Sequence, residues 1–256
     1  MLEYIFIKGE MVMNKEERNL KRIGLLKKFD QYTADELIII DNNELSNLLF
    51  EGRRVVIPNR YLRKIDLSSI NFDNKDLTNT NLSYTNVNID PQKVCNKDLS
   101  SCDLEGIDLN NKCFDDVIVI ECNLKNTNAI INPQKVRNKS LCFCNLEGLN
   151  LFDADFTDVN IIGCNLKKTG AFINPQNIFN KNLSYSNLEG LNLQHMNFIN
   201  VNIENTNLKN TNAHISFNES LYNDRTILDN KIVKGEPMVS LMRNNEKVNY
   251  VSVKKI

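Results

Sequence analysis

The run LSSCDLEGIDLNNKCFDDVIVIECNL, residues 99–124, decides the fold. Its apolar centres fall at every fifth position: Leu99, Leu104, Leu109, Phe114, Val119 and Leu124. The residue before a centre is often Asp or Asn, as at Asp98, Asp103, Asp108 and Asn123. The residue two before is often apolar or small, as at Cys102, Ile107, Val117 and Cys122. A period of five is neither helical nor that of a flat strand. It describes a chain that runs straight briefly, turns a corner and repeats. Asn and Asp suit such corners because they tolerate left-handed backbone and bond nearby amides. Four corners close a square, so one coil is four such five-residue sides.

A longer, 42-residue period is superimposed. Asp103-Leu104-Glu105-Gly106 returns as Asn145-Leu146-Glu147-Gly148 and as Asn187-Leu188-Glu189-Gly190, and Phe72, Phe114, Phe156 and Phe198 keep the same spacing. Forty-two is two coils plus one extra pair. The register restarts at Ile89 after Val87, and slips again between Ala129 and Ile131, Ala171 and Ile173, and Ala213 and Ile215. Three slips precede Pro-Gln, at Pro91-Gln92, Pro133-Gln134 and Pro175-Gln176. Every second coil is therefore expected to bulge at one corner. With the slips removed, Leu104, Leu124, Leu146 and Leu166 share a column, and Cys102, Cys122, Cys144 and Cys164 form another, continued by Ser186 and Thr206. Phe72, Val94, Phe114 and Val136 alternate large with smaller, as stacked layers require at native density.

These residues resemble the pentapeptide-repeat family, whose consensus is a small residue, Asp or Asn, Leu or Phe, then two variable positions. The resemblance implies an all-β solenoid, a right-handed quadrilateral β-helix with its Leu and Phe centres inside. A helical N-terminal cap over 1–56, a solenoid over 57–220 and a β-rich tail over 221–256 are expected. Asn14 and Glu17 open a first helix with the stripe Leu20, Ile23, Leu26 and Phe29. The box Thr33-Ala34-Asp35-Glu36 opens a second that runs to Gly52. Asn244-Asn245 predicts a hairpin turn within Met238 to Val253, and Thr226 to Val233 a third strand. In the resembled family the C-terminal end often makes a dimer contact, so a homodimer through that segment is expected.

Net charge is −1 at pH 7, which points to neither direct nucleic-acid binding nor an acidic tail. No apolar run is long enough to span a bilayer, and Met1 to Met13 lacks a basic n-region and a cleavage pattern. A cytoplasmic protein that contacts no membrane is expected. The seven cysteines include no CxxC pair, and the two histidines, His195 and His214, lie away from them, so no metal or cofactor is expected. The buried cysteine column reads as small hydrophobes. No phosphate loop, nucleophile elbow or zinc-protease motif occurs, and no enzyme activity is expected.

Two functions remain. A protein-binding scaffold is favoured by outward apolar residues gathered mid-stack: Ile120, Cys142, Phe143, Ile162 and Tyr185. Some members of the resembled family look like duplex DNA and bind a type II topoisomerase such as gyrase. That alternative rests on an acidic face of Asp73, Asp115, Asp116 and Asp158. Against it, Glu105, Lys125, Glu147, Lys167, Glu189 and Lys209 alternate in sign up the Leu face, which predicts a self-neutralising ladder. Lys75, Lys97, Lys139 and Lys181 depart from the pattern, because they occupy a normally inward position. Either they snorkel outward or that corner has a different turn.

Overall fold

The computed structural model describes residues 5–7, 10–12, 15–29, 42–63, 65–213, 220, 222, 226–228, 242–243 and 246–247. Most apolar centres open a four-residue turn. The N–H three residues on donates back to the centre's carbonyl, from Cys102 to Leu99, Ile107 to Leu104 and Val117 to Phe114, each at 3.1 Å. The third turn residue is left-handed, with φ of 55° at Ser101, 75° at Gly106 and 58° at Asp116. A positive φ at that position alone is the type II pattern. This is why Gly follows Leu-Glu in the 42-residue motif.

The Asp or Asn before each centre does a different job. Its Oδ1 accepts the N–H two residues on, as Asp98 does from Ser100 at 2.8 Å and Asn123 from Lys125 at 3.2 Å. Left-handed backbone, expected at these residues, therefore falls three positions later. Many of those later residues are themselves Asn, including Asn74, Asn79 and Asn126.

Successive coils meet through parallel bridges. Asn81 pairs with Asp103, Asp103 with Asn123, Asn123 with Asn145, Asn145 with Asn165 and Asn165 with Asn187, so bulged and plain coils alternate up the ladder. The chain is a β-helix solenoid with little regular strand. Most contacts between coils are single bridges, because a five-residue side spends most of its length in the turn. At the far end of the ladder Asn207–Leu208 and Ile227–Leu228 extend the bridge to two residues, in parallel register. The sequence reading closes the solenoid at 220; the second of these strands carries the ladder beyond it. Ser220 is still buried, one 42-residue repeat after Ile178. Yet Asn207 pairs with Ile227, which is the spacing of a plain coil.

The Pro-Gln pairs acquire a structural reason. Gln134 Nε2 donates to the carbonyls of Asp155 at 3.3 Å and Thr157 at 2.6 Å on the next coil. Gln92 does the same to Cys113 and Asp115, and Gln176 to Asn197 and Ile199. The side-chain amide replaces ladder bonds that the bulge interrupts.

The four odd lysines divide into two cases. Asn96-Lys97, Asn138-Lys139 and Asn180-Lys181 each place two consecutive residues at positive φ, so that corner has its own turn. Lys75 instead lays its ammonium over the Phe50 ring, 4.0 Å from the centroid.

At the N-terminal end, β1 (Ile5–Ile7) and β2 (Glu10–Val12) form an antiparallel hairpin. Helix α1 (Lys15–Phe29) and helix α2 (Asn42–Leu49) follow. Asn14 and the box Thr33–Glu36 lie outside the described residues. Of the expected α1 stripe, Leu20 and Ile23 are exposed and Leu26 packs partly against the core. Helix α2 buries Leu45, Leu48 and Leu49. Arg22 of α1 donates to the carbonyls of Leu48 and Phe50, both at 2.8 Å, which satisfies acceptors left open where α2 ends. Strands β3 (Phe50–Glu51) and β4 (Arg54–Val55) turn through Gly52, and Arg54 bridges to Asp76 to start the ladder. A one-turn helix α3 (Asn59–Leu62) buries Tyr61 and Leu62. Beyond the solenoid, Met242–Arg243 and Glu246–Lys247 pair antiparallel around 244–245. Residues 229–241 and 248–256, including most of the expected third strand, lie outside the described residues.

Candidate functional site

The face nominated from the sequence is built by successive coils zipped together. Ser101 N–H donates to Ile120 at 2.9 Å, Glu121 N–H to Cys142 at 2.8 Å and Phe143 N–H to Ile162 at 2.8 Å. Ile120, Cys142 and Ile162 are half-buried, whereas Phe143 and Tyr185 are 52% and 60% exposed. Both aromatic residues hold the left-handed turn position, with φ of 57° and 63°. The Phe143 ring lies on Gly163 of the next coil, where a Cβ would come within 2.2 Å of its Cδ1. Tyr84 repeats the arrangement over Gly106, and its hydroxyl donates to Glu105 at 2.6 Å.

On the acidic face, most carboxylates are paired. Asp73 lies 3.9 Å from Lys93, and Asp115 lies 3.1 Å from Lys135. Asp116 binds Arg137 at 3.0 Å and Lys97 at 3.7 Å, and the guanidinium holds its carboxyl below the usual range. Asp158 has no ion pair among the described residues. On the Leu face the expected ladder resolves into pairs, Lys125–Glu105 at 3.3 Å and Lys167–Glu189 at 3.0 Å. Glu147 is taken by Lys168 at 3.5 Å, one residue off the column.

A second apolar face, missed in the sequence, is more exposed than the first. Ile130, Phe152 and Phe172 stand on three successive coils and are 66%, 70% and 59% exposed. A groove of about 360 Å³ lies beside them, lined by Phe152, Asp153, Asp155, Thr157, Phe172 and Asn177 among others. The signal lies in the 42-residue alignment: Ile130 and Phe172 follow Asn88, and Phe152 sits between Asn110 and Gln194. The five-residue rule classes them only as outward, and so does not separate them from neighbouring polar positions.

No group of three His, Cys, Asp or Glu side chains suited to a metal occurs among the described residues. His195 is exposed at a left-handed turn position, φ 64°.

The family model for pentapeptide repeats matches residues 140–169 and 182–212, in eight copies. These two blocks are pentapeptide repeats. No curated protein matches it. Each matched block of pentapeptide repeats begins just after an Asn-Lys turn, at Ser140 and Asn182. The gap from 170 to 181 holds the slip, Pro175-Gln176 and the next such turn, which are the parts that break the five-residue period.

The position two before the centre in the five-residue period carries four of the cysteines. Cys102, Cys122, Cys144 and Cys164 are buried and unbridged. Cys102 Sγ donates to the Leu77 carbonyl at 2.6 Å and Cys144 Sγ to Val119 at 2.7 Å. Ser186 Oγ makes the corresponding bond to Ile161 at 2.8 Å, so these thiols act as hydroxyl substitutes as well as small hydrophobes. Burial pushes the Cys102 and Cys144 thiols up to about 12.

Proposed function

We propose that the chain is a non-enzymatic cytoplasmic scaffold, a right-handed quadrilateral β-helix that docks a protein on its flank. The observation that carries this reading is the column Ile130, Phe152 and Phe172, large apolar side chains exposed on three successive coils. Contiguous outward apolar side chains mark interaction sites, whereas scattered ones do not. Neighbouring coils rise about 4.8 Å, so the column spans roughly 10 Å and offers rigid surface with little ordering cost on binding. Phe143 and Tyr185, with Ile120, Cys142 and Ile162 beside them, supply a second apolar face of the same scaffold.

The alternative, a DNA mimic that occupies a type II topoisomerase, is less well supported. Mimicry needs a dense run of unneutralised negative charge. Three of the four proposed acidic residues, Asp73, Asp115 and Asp116, face Lys or Arg partners within 4 Å. A homodimer through residues 221–256 stays part of the proposal. Crosslinking capture with Phe152→Asp/Phe172→Asp beside the wild type tests the scaffold: a protein captured by the wild type and lost in the variant supports it. Inhibition of gyrase supercoiling that disappears with Asp115→Lys/Asp116→Lys would replace it with the mimic.

A further inference from the structure

The 42-residue copies serve as internal controls for one another, and one copy departs from the rest at a single place. The loop 152–157 and the bulge 172–177 of the next coil enclose the groove beside Phe152 and Phe172. Where this copy has Ala154, the others have Ile70, Lys112 and Met196; where it has Asn177, two others have Lys93 and Lys135. Those lysines are engaged in their own copies: Lys112 with Asn88 at 2.8 Å, Lys93 with Asp73 and Lys135 with Asp115. Small neutral residues at both places leave a hollow and remove two cations.

Negative charge is added at the same spot. Asp153 replaces Ser69, Asn111 and His195 of the other copies, and Asp155 replaces Asn71, Cys113 and Asn197. Asp153 has no hydrogen-bond or ion-pair partner among the described residues. Asp155 Oδ1 accepts the Thr157 N–H at 2.8 Å, which holds its carboxyl below the usual range, with a weaker contribution from the charge of Lys139. The aromatic rings are additions too: Phe152 stands where other copies have Ser68, Asn110 and Gln194, and Phe172 where they have Asn88 and Ile130. Against the copy that holds Lys112 and Lys135, this copy gains two exposed rings as well as Asp153 and Asp155, loses both lysines, and carries Thr157 where Asp115 pairs with Lys135. Nothing in the packing of the coil needs these changes, because Phe156 fills the interior here as Phe114 and Phe198 do in theirs.

We propose that this groove receives an Arg or Lys side chain presented by a partner protein. The cation lies against the faces of Phe152 and Phe172, and Asp153 and Asp155 neutralise it. A guanidinium or ammonium over an aromatic face gains from the ring quadrupole, more so when partly desolvated. Opposite charge at the rim steers encounter and fixes orientation. This inference rests on the scaffold reading and names the chemistry of its partner.

The test is fluorescence anisotropy with the full chain and a labelled Gly-Ser peptide carrying Arg and Lys, beside an acidic peptide of equal length. The basic peptide should bind and the acidic one should not. Asp153→Asn, Phe172→Ala and Ala154→Lys should each weaken binding about tenfold or more. Ala154→Lys places in this copy the side chain that Lys112 already carries in another, so the fold has room for it, and circular dichroism checks this. Glu121→Gln, which removes an exposed carboxylate from a different face, should change nothing. Equal binding by wild type and Ala154→Lys overturns the proposal, and so does equal weakening by Glu121→Gln, which reports general acidity. A captured protein partner retained by Ala154→Lys leaves the scaffold standing and sinks the groove. Specific binding of the basic peptide with no protein captured by crosslinking does the reverse.

Discussion

The ring of Phe143 covers the backbone of Gly163, one coil away, so closely that a Cβ there would sit 2.2 Å from Cδ1. Gly163 is itself left-handed, at φ 68°. Two penalties therefore meet in Gly163→Ala: left-handed backbone, about 1–2 kcal/mol, and a steric clash with Phe143. Phe143→Ala/Gly163→Ala removes the clash and keeps the backbone penalty. Urea denaturation of the full cycle should show non-additivity of about 1 kcal/mol or more; additive losses would show that the ring moves aside freely.

Phe143→Asp should fold. The side chain is half exposed, and Asp tolerates φ near 57° better than Phe does. The thermal midpoint should stay within a few degrees of the wild type. Collapse of the circular dichroism signal would mean that the ring over Gly163 is a structural necessity.

Phe156→Ala should cost roughly 3–5 kcal/mol, as for other buried aromatic residues, since Phe156 is buried in the Phe column. Thr157→Ala, exposed and next in the chain, should lie within about 0.5 kcal/mol of the wild type. Equal denaturation midpoints would place the coil register wrongly.

Gln134→Ala should cost about 1 kcal/mol. It frees the carbonyls of Asp155 and Thr157, which water reaches on this exposed bulge. Gln134→Glu should cost more, because a carboxylate in that place faces two carbonyl oxygens and donates nothing at neutral pH. A Glu variant as stable as the wild type would show that the amide does not staple the coils.

Cys102, Cys122, Cys144 and Cys164 should resist thiol reagents in the native protein, while the exposed Cys113 reacts quickly. Burial raises the folded-state values of Cys102 and Cys144 to about 12 from an ordinary 9.0. The sign follows: these thiols leave stability unchanged below about pH 9, and stability then falls as the unfolded chain releases thiol protons, up to about pH 12. Denaturation midpoints that rise across that window would contradict burial of these thiols.

The sequence by itself determined the coil. A period of five with a superimposed period of 42 specifies which residues point inward, because Leu, Phe and Cys have no other place to bury their surface. The same pattern sets the alternation of plain and bulged coils. Tertiary structure decided what the period cannot encode. Left-handed corners fall two positions after each centre rather than one before it, because the ladder needs the preceding Asp or Asn extended. Gln134 bonds carbonyls 21 and 23 residues away, a partner no local pattern names. Phe143 points outward, yet it is half covered by a glycine that the linear period places a full coil away. Ile130, Phe152 and Phe172 read singly as surface residues; stacking at the rise of one coil makes them a face. Contacts within a coil follow from neighbours in sequence, whereas contacts between coils depend on side chains a full coil apart, and there single substitutions distinguish otherwise identical repeats.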